Sequence, residues 1–539
     1  MLWVALHLPL LSLESFVATL AARADAQALA LTDVHGIVSA NAAARALGIA
    51  PGLKRATALA LAPHITLGQA DATRDAQALT VVAHVALAFT PSVTVQPAGG
   101  ARAVRAATPD TVLLDVQASL RHFGGPERRL DVLLKRLRAA LAPLGHAVCI
   151  ASAPTPMGAA LLARGQGASN KRPPRELHCA DLPSLRATLD AAPVWLLGPG
   201  REHWEALQGM GLRTLGDLLR LPRSGVARRF GADLLDELDR ARGERPDPRE
   251  AIVLPDTFET RLELFARADT TEQVLHGAAL LLARMVAWLS AQHAHVRRFT
   301  LVMQHEPRWR RDAQTPTETA LVLALTEPSR DPAHLQVLLR ERLAQVQLPA
   351  PSIELRLRVD DMARRAPLNE ELFPSAGSER EGLLRLVERL QARLGADQVQ
   401  RLVPVHDHRP ERASRAVPVT GVLPGGRLSC AAVAGAGAVA AARSVATPAS
   451  VLRAPVRPIW LLAAPQALNE RHHQPLLDGR ELHLLSGPER IEAGWWDDAL
   501  AERDYFIAQA GDGALVWVYR ARVPLPTGEC GWFLQGRFG

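Results

Sequence analysis

Lysine is nearly missing from this chain of 539 residues: it occurs only at Lys54, Lys135 and Lys171, although Lys and Arg together number 62. Almost every positive charge is therefore an arginine. With alanine so abundant, the bias matches GC-rich codon usage, which tempers what the net charge of +7 and the pI near 9.9 say about partners. They still favour an anionic partner, of which nucleic acid is the commonest. Cysteine is scarce too. Cys149, Cys179, Cys430 and Cys530 stand far apart with no CxxC spacing, which argues against a disulfide framework and a cysteine-based zinc site and fits a reduced, cytoplasmic protein. Long apolar runs are also absent: nothing approaches the ~20 residues of a membrane span, so no membrane partner is expected. The opening LWVALHLPLLSLESFVATLAARADA has the apolar core and A-x-A-like end of a signal peptide. No Lys or Arg precedes Arg23, however, and His7, Pro9 and Glu14 interrupt the core, so secretion is not expected.

What is present describes an ordinary globular chain, 48% apolar and 22% charged, and too long for one core. Residues 2–8 read as a short buried strand and Leu10 to Arg23 as a helix capped near Ser12. GIVSA, NAAARALG closed by Gly48, and PGLKRATALALAP carry strand and helix signals over residues 36–62. TVLLDV (111–116) is a β-rich run after the turn pair Pro109-Asp110, an amphipathic helix follows at 126–142, and HAVCIAS returns as a strand. This alternation predicts an α+β layer with one covered face.

PVWLLGPGREHWEALQGMGLRTLGDLLRLP contains two glycine hairpins, Gly198-Pro199-Gly200 and Gly209-Met210-Gly211, each followed by a helix. Glycines in a helix-hairpin-helix let the backbone turn with its amides outward, where they and the next helix N-terminus can hold a phosphate. Gly198, Gly200, Gly209 and Gly211 are therefore candidate DNA-backbone contacts, with Thr214 as the N-cap of the second helix. A plain helical connector with glycine C-caps is the competing reading. Residues 252–405 then read as a strand near 257–265, helix 270–292, strands 296–304 and 319–326, helix 331–346, strand 352–360 and helix 379–394. In SIELRLRVD, Ile353, Leu355, Leu357 and Val359 face a core while Glu354, Arg356, Arg358 and Asp360 face out. Arg297, Arg298, Arg356 and Arg358, with Arg308, Arg310 and Arg311, are candidates to track a duplex backbone. A solvated arginine face explains any one of them equally well. Residues 406–457 read as a linker, without an acid from Arg412 onward, and 458–539 as a β-rich, aromatic module.

These parts, in this order, resemble a Y-family DNA polymerase, whose right hand comprises palm, fingers, helix-hairpin-helix thumb and a β-α-β-β-α-β little finger. The resemblance implies palm and fingers over 1–168, with fingers about 13–79, a thumb at 169–248 and a little finger at 252–405. SANAAARALG is similar to the fingers segment S-A-N-Y-x-A-R-x-x-G; Arg45 keeps the triphosphate arginine, but Ala42 stands for the tyrosine. TPDTVLLDV is similar to the palm segment S-I-D-E-x-Y-L-D-V. VALHLPLLSLE resembles D-x-D-x-F-(F/Y)-A-S-V-E, with Ala5 at the first metal-binding aspartate, His7 at the second acid and Leu10 at the steric gate. Asp110 remains in the palm, next to Thr111 where the family has glutamate, and the family's N-K pair falls loosely on Thr155-Pro156. Two Mg²⁺ ions need several carboxylates in near-octahedral array, and one isolated Asp110 cannot supply them. Ala5, His7, Asp110 and Thr111 therefore read as a degenerate site, without catalytic residues, metal or cofactor.

LHLPxLxLE, VPVHDHRPER, PIWLL, ERIEAGWWDD, RDYF and GWFLQGRF further resemble segments of the ImuB subgroup of that family. That resemblance implies a non-catalytic DNA-binding adaptor in an inducible translesion mutasome, cytoplasmic and associated with the nucleoid. Its partners would be the sliding clamp (β subunit), the RecA-like protein ImuA and the alpha subunit of an error-prone replicative-type polymerase, with 458–539 as the partner-binding module. LNEELFPS (368–375) resembles the clamp-binding pattern Q-x-x-L-F, with Asn369 for the glutamine and Leu372 and Phe373 as anchors; a turn before the next helix is the alternative. His406-Asp407-His408 is not expected to bind metal, because alternate side chains on a strand diverge. An active polymerase with divergent metal ligands is the rival reading of the whole chain.

Overall fold

The computed structural model describes residues 1–20, 27–96, 109–124, 129–167, 177–307, 316–364, 376–419, 457–522 and 531–538, in two compact units, Met1–Arg393 and Leu394–Gly539. The first unit opens with β1 (Trp3–His7) and α1 (Leu11–Val17), continues through β2 (Leu29–Thr32), β3 (Ile37–Ala40), α2 (Ala42–Ala46), α3 (Arg55–Leu61) and β4 (Thr66–Gln69), and reaches α4 (Ala72–Leu87). Next come β5 (Val93–Val95), β6 (Thr111–Asp115), α5 (Arg129–Leu141), β7 (Cys149–Ala153), α6 (Pro156–Gly167) and β8 (Leu177–His178). The described part of the would-be signal segment, residues 2–20, is thus folded into the body: β1 is the central strand of a sheet ordered β5-β6-β1-β7-β8. It pairs antiparallel on both sides, Ala5 with Leu113 and Ala151, His7 with Thr111 and Cys149. α1 is shorter than expected and has no side-chain cap, because its N-cap is Leu10; Ser12 lies inside the helix and donates its hydroxyl to Asp75 of α4.

Both faces of this palm sheet are covered. Val4, Leu6, Val112, Leu114 and Ile150 pack with residues of α4 and α5. On the other face Trp3, Ala5, Leu113, Ala151 and Ala153 form one apolar cluster with α6 and the helices that follow. β2, β3 and β4 make a separate small sheet, ordered β3-β2-β4, which with α2 and α3 corresponds to the fingers. The thumb comprises α7 (Leu182–Asp190), α8 (Gly198–Glu202), α9 (Trp204–Gly209), α10 (Leu215–Leu219), α11 (Arg223–Phe230) and α12 (Ala232–Arg242).

The little finger follows as β9 (Glu259–Ala268), α13 (Thr271–Ala291), β10 (Ala294–His305), β11 (Glu318–Ser329), α14 (Pro332–Leu343), β12 (Ser352–Arg364) and α15 (Ala376–Leu394). The order β-α-β-β-α-β is the one expected, and the four strands form one sheet in the order β11-β10-β12-β9. Alternation decided the faces: Leu355 and Leu357 are fully buried in a cluster with α13 and α14. Gly277 of α13 allows that close approach, since a Cβ there would lie 2.9 Å from Leu355 Cδ1. α13 corrects one expectation, because among the described residues it is the one helix long and apolar enough to cross a membrane. Its Leu281, Leu282, Met285, Trp288 and Leu289 are spent on the little-finger core instead.

The second unit contains a hairpin, β13 (Gln400–Pro404) with β14 (Ser414–Pro418), and a seven-stranded curled sheet. The sheet runs β17-β16-β15-β21-β20-β19-β18 and consists of β15 (Trp460–Arg471), β16 (Gln474–Leu477), β17 (Arg480–Glu481), β18 (His483–Ala493), β19 (Ala501–Gln509), β20 (Leu515–Ala521) and β21 (Trp532–Arg537). Alternate residues of β20 serve two cores: Val516 and Val518 pack with Trp532 and Leu534, Trp517 and Tyr519 with Tyr505 and Phe533. The expected linker differs at its start, since residues 406–419 are ordered. Arg409, 2% exposed, holds them through Asp407 at 2.7 Å, Asp497 at 2.6 Å and the Ala499 carbonyl at 3.0 Å. Glu411 adds a pair with Arg503 at 3.0 Å. A charge network, not apolar burial, orders this stretch, so its poverty in large apolar residues misled the reading.

Candidate functional site

β1 and β6 bring His7, Asp110 and Thr111 together at the edge of the palm. The Thr111 hydroxyl donates to Asp110 Oδ1 at 2.7 Å, and His7 Nδ1 lies 3.1 Å from that hydroxyl and 3.4 Å from the same carboxylate oxygen. With the hydroxyl proton committed to Asp110, Nδ1 carries a proton and donates. Arg164 of α6 completes the group: its Nη2 is 3.7 Å from Asp110 Oδ1, and its Nη1 donates to the Leu196 carbonyl at 3.1 Å. Burial by itself would raise the Asp110 pKa, but His7, Arg164 and Thr111 outweigh it and hold the carboxyl far below the usual carboxylate range.

Mg²⁺ does not fit this set. It requires several hard oxygen donors. Here the single carboxylate is occupied by two donors and faces a guanidinium, and Thr111 is fully buried beside it. Ala5 has no exposed surface and lies between Leu113 and Ala151 in the apolar cluster under α6. Among the described residues no group of three or more His, Cys, Asp or Glu is placed to hold a metal ion. Arg164 was not singled out from the sequence, where 54 residues separate it from Asp110; a lone arginine inside the apolar helix AALLARG was the available signal.

Other retained positions have structural duties. Glu14 accepts the Ala147 amide at 3.1 Å and lies 3.3 Å from His146, and the Thr155 hydroxyl donates to the Ala241 carbonyl of α12 at 2.7 Å. Ala42 and Arg45 are exposed on α2, whose cap is Asn41.

Of the two glycine stretches read as hairpins, the inner one is not a hairpin, since Gly198-Pro199-Gly200 forms the first turn of α8, whereas the outer one, Gly209-Met210-Gly211, turns at the end of α9. Gly198 and Gly200 are buried, and the Gly198 amide donates to the Glu237 carboxylate at 3.0 Å, so it is turned inward and not toward a phosphate. A Cβ at Gly200 would lie 2.2 Å from the Val194 carbonyl, which makes this glycine a close-packing residue. Gly209 and Gly211 are exposed, and Gly211 has φ +78°, a left-handed turn with open space around it. Thr214 caps α10 as expected, while Asp217 accepts the amides of Arg213 and Thr214.

The little-finger arginines also divide. Arg356 is paired with Glu354 at 2.9 Å and Glu318 at 3.7 Å, and Arg358 with Asp360 at 3.1 Å. Arg297 and Arg298 are exposed at a register shift in β10 and have no ion pair among the described residues. Arg308, Arg310 and Arg311, and the clamp-motif residues Asn369, Leu372 and Phe373, lie outside the described residues. Asp407 is bound to Arg409, so the His406-Asp407-His408 triplet has its central carboxylate committed.

No protein-family model matches the chain. It is 27% identical over 511 residues to Protein ImuB of Caulobacter vibrioides, in strains NA1000 / CB15N and ATCC 19089 alike, covering 92% of this chain and all of that one. Among solved structures it is similar to an insertion ternary complex of Dbh DNA polymerase, at 16% identity and TM-score 0.37, over 67% of this chain and 99% of that one. DinB from Sulfolobus solfataricus gives 16% and 0.36, with 67% and 98% covered. Overlays at such scores add no weight to the fold, which stands on the element order and sheet topology above.

Proposed function

We propose that this chain, a homologue of ImuB over most of its length, is a non-catalytic DNA-binding adaptor of translesion synthesis. One observation carries the reading. At the position of the first metal-binding aspartate stands Ala5, sealed in an apolar layer, and the one surviving carboxylate, Asp110, is held by His7, Thr111 and a buried arginine. A site so arranged neutralises its carboxylate with protein groups and leaves no ligand set for nucleotidyl transfer. The rival reading, a polymerase with divergent ligands, requires Asp110 to exchange Arg164 for a metal.

DNA contact is assigned to the outer hairpin at Gly209 and Gly211 and to Arg297 and Arg298, which have no ion pair among the described residues. Arg356 and Arg358 contribute less, each already facing a carboxylate. Recruitment of the missing activity falls to the C-terminal module. Its partners are a sliding clamp, reached through Leu372 and Phe373, the RecA-like ImuA and an error-prone polymerase alpha subunit, in the cytoplasm at the nucleoid. Co-purification of the full chain with each of the three proteins tests the adaptor role, and failure to retain any of them would contradict it. Replacing Gly211 with valine should weaken duplex binding whatever the DNA sequence, and binding by the parent should fall steeply with salt.

A further inference from the structure

Palm and thumb share one apolar core. Ala5 and Ala151 of the palm sheet continue through Leu161 of α6 into Leu196, Leu215 and Leu238 of the thumb. Leu207 and Leu212, on either side of the outer glycine turn, belong to the same cluster, so whatever fixes this core also fixes that turn.

Polar bonds cross the same seam, and they come from positions aligned with the family's active site. Thr155, where the N-K pair falls, donates its hydroxyl to the Ala241 carbonyl of α12 at 2.7 Å and accepts the Gly158 amide at 3.1 Å. A Cβ at Gly158 would lie 3.0 Å from that carbonyl and 2.9 Å from Leu185 Cδ2, so the glycine permits the close approach of α6 to α7 and α12. Asp110 acts at one remove. Its carboxylate faces Nη2 of Arg164 at 3.7 Å, while Nη1 of the same guanidinium donates to the Leu196 carbonyl at 3.1 Å, in the segment that leads into α8. From the thumb side Glu237 of α12, itself buried, accepts the Gly198 amide at 3.0 Å, and burial raises its pKa against the charges of Arg164 and Arg201. The buried Arg164 is thus flanked by a palm acid and a thumb acid and bonded to the thumb backbone.

A buried donor or acceptor that loses its partner keeps its desolvation cost, so bonds of this kind resist separation of the parts they join. We propose that the residues at the old catalytic edge fasten the thumb to the palm, Thr155 directly and Asp110 by positioning Arg164, and thereby hold the outer Gly209–Gly211 turn in one place for DNA. The inference rests on the non-catalytic, DNA-binding reading above and gives its surviving carboxylate a duty.

Hydrogen exchange of the full chain, read by mass spectrometry, tests this together with duplex anisotropy. Arg164→Gln should speed exchange over 194–202 by about tenfold, the order of one lost bond to a charged group, and Thr155→Val should do so over 232–242. Strands β10 and β12 of the little finger should keep the parent rate, which separates a loosened thumb from a general loss of stability. Thr155→Ser, which keeps the hydroxyl, should match the parent. Asp110→Ala should act as Arg164→Gln does, but more weakly, and should add nothing to it in the double variant, because the aspartate works through the guanidinium. Each loosening variant should also weaken duplex binding by about threefold or more, since the turn must then be ordered on contact. Parent-like exchange in both Asp110→Ala and Thr155→Val, additive effects of Asp110→Ala and Arg164→Gln, equal acceleration in the little finger, or a loosened thumb with unchanged duplex affinity overturns the proposal. The two Thr155 variants decide it if Arg164→Gln does not fold. A parent chain that binds no duplex contradicts the DNA-binding reading, and one that extends a primer contradicts the non-catalytic one; the exchange rates decide the fastening in either case.

Discussion

Ala5→Asp, the change that restores the first missing carboxylate, should damage the palm and rescue nothing. Ala5 has no exposed surface and is centred on the middle strand, between Leu113 and Ala151 and within the cluster under α6. Adding atoms to such a core costs roughly 1–3 kcal/mol. A charge left unpaired there costs roughly 3–5 kcal/mol more. Together these take about half of the ~5–15 kcal/mol that holds a typical domain. The charge part should depend on pH. Burial raises the folded-state pKa of the new carboxyl above its unfolded value of ~3.9, so the folded state retains a proton that the unfolded chain releases. Stability of the variant relative to the parent should therefore fall as pH rises above about 4 and level off once the folded carboxyl ionises. Ala5→Asn, of the same shape without a charge, should lose stability by an amount that does not vary with pH. Urea unfolding at pH 5 and pH 8, read by hydrogen exchange of the palm-strand amides, measures both effects. If Ala5→Asp matches the parent at both pH values, the apolar layer described here is wrong.

Asp110, with its pKa depressed by His7, Arg164 and Thr111, contributes stability that is full above its unfolded pKa and is lost as pH falls through its lower folded value. Asp110→Asn should therefore flatten the acid limb of the parent's stability curve, measured by urea unfolding between pH 6 and pH 2. Arg409→Met should loosen the 400–418 hairpin from the curled sheet, seen as faster proteolysis within that hairpin, and should do more harm than Arg412→Met, because Arg409 is buried and serves two carboxylates. Leu372→Ala with Phe373→Ala should weaken sliding-clamp binding by about 100-fold or more in surface plasmon resonance, as loss of two apolar anchors at ~2 kcal/mol each implies, while DNA affinity stays at the parent value.

Features with a local pattern were legible in the sequence. Alternation in SIELRLRVD placed β12 and assigned its faces, and TVLLDV gave β6 almost to the residue. The missing carboxylates could be read directly, because their positions on β1 and β6 lie in short motifs. What escaped depends on partners distant in sequence. Arg164 reaches Asp110 only because α6 folds back over β1, and Gly198 turns inward because Glu237, 39 residues on, takes its amide. The ordered 406–419 stretch depends on Arg409 meeting Asp497, 88 residues away, and has no apolar pattern to announce it. The reading that nothing approaches a membrane span missed α13, in which His276 and Arg284 still leave a helix apolar enough to hold the little-finger core.

The central claim, DNA binding without synthesis, is tested most directly by one measurement on the parent chain: anisotropy and primer extension on the same labelled primer-template, with four dNTPs and Mg²⁺. The account predicts saturable, salt-sensitive binding and no extended primer at saturation. Template-directed extension that requires Mg²⁺ and disappears in Asp110→Ala would contradict it.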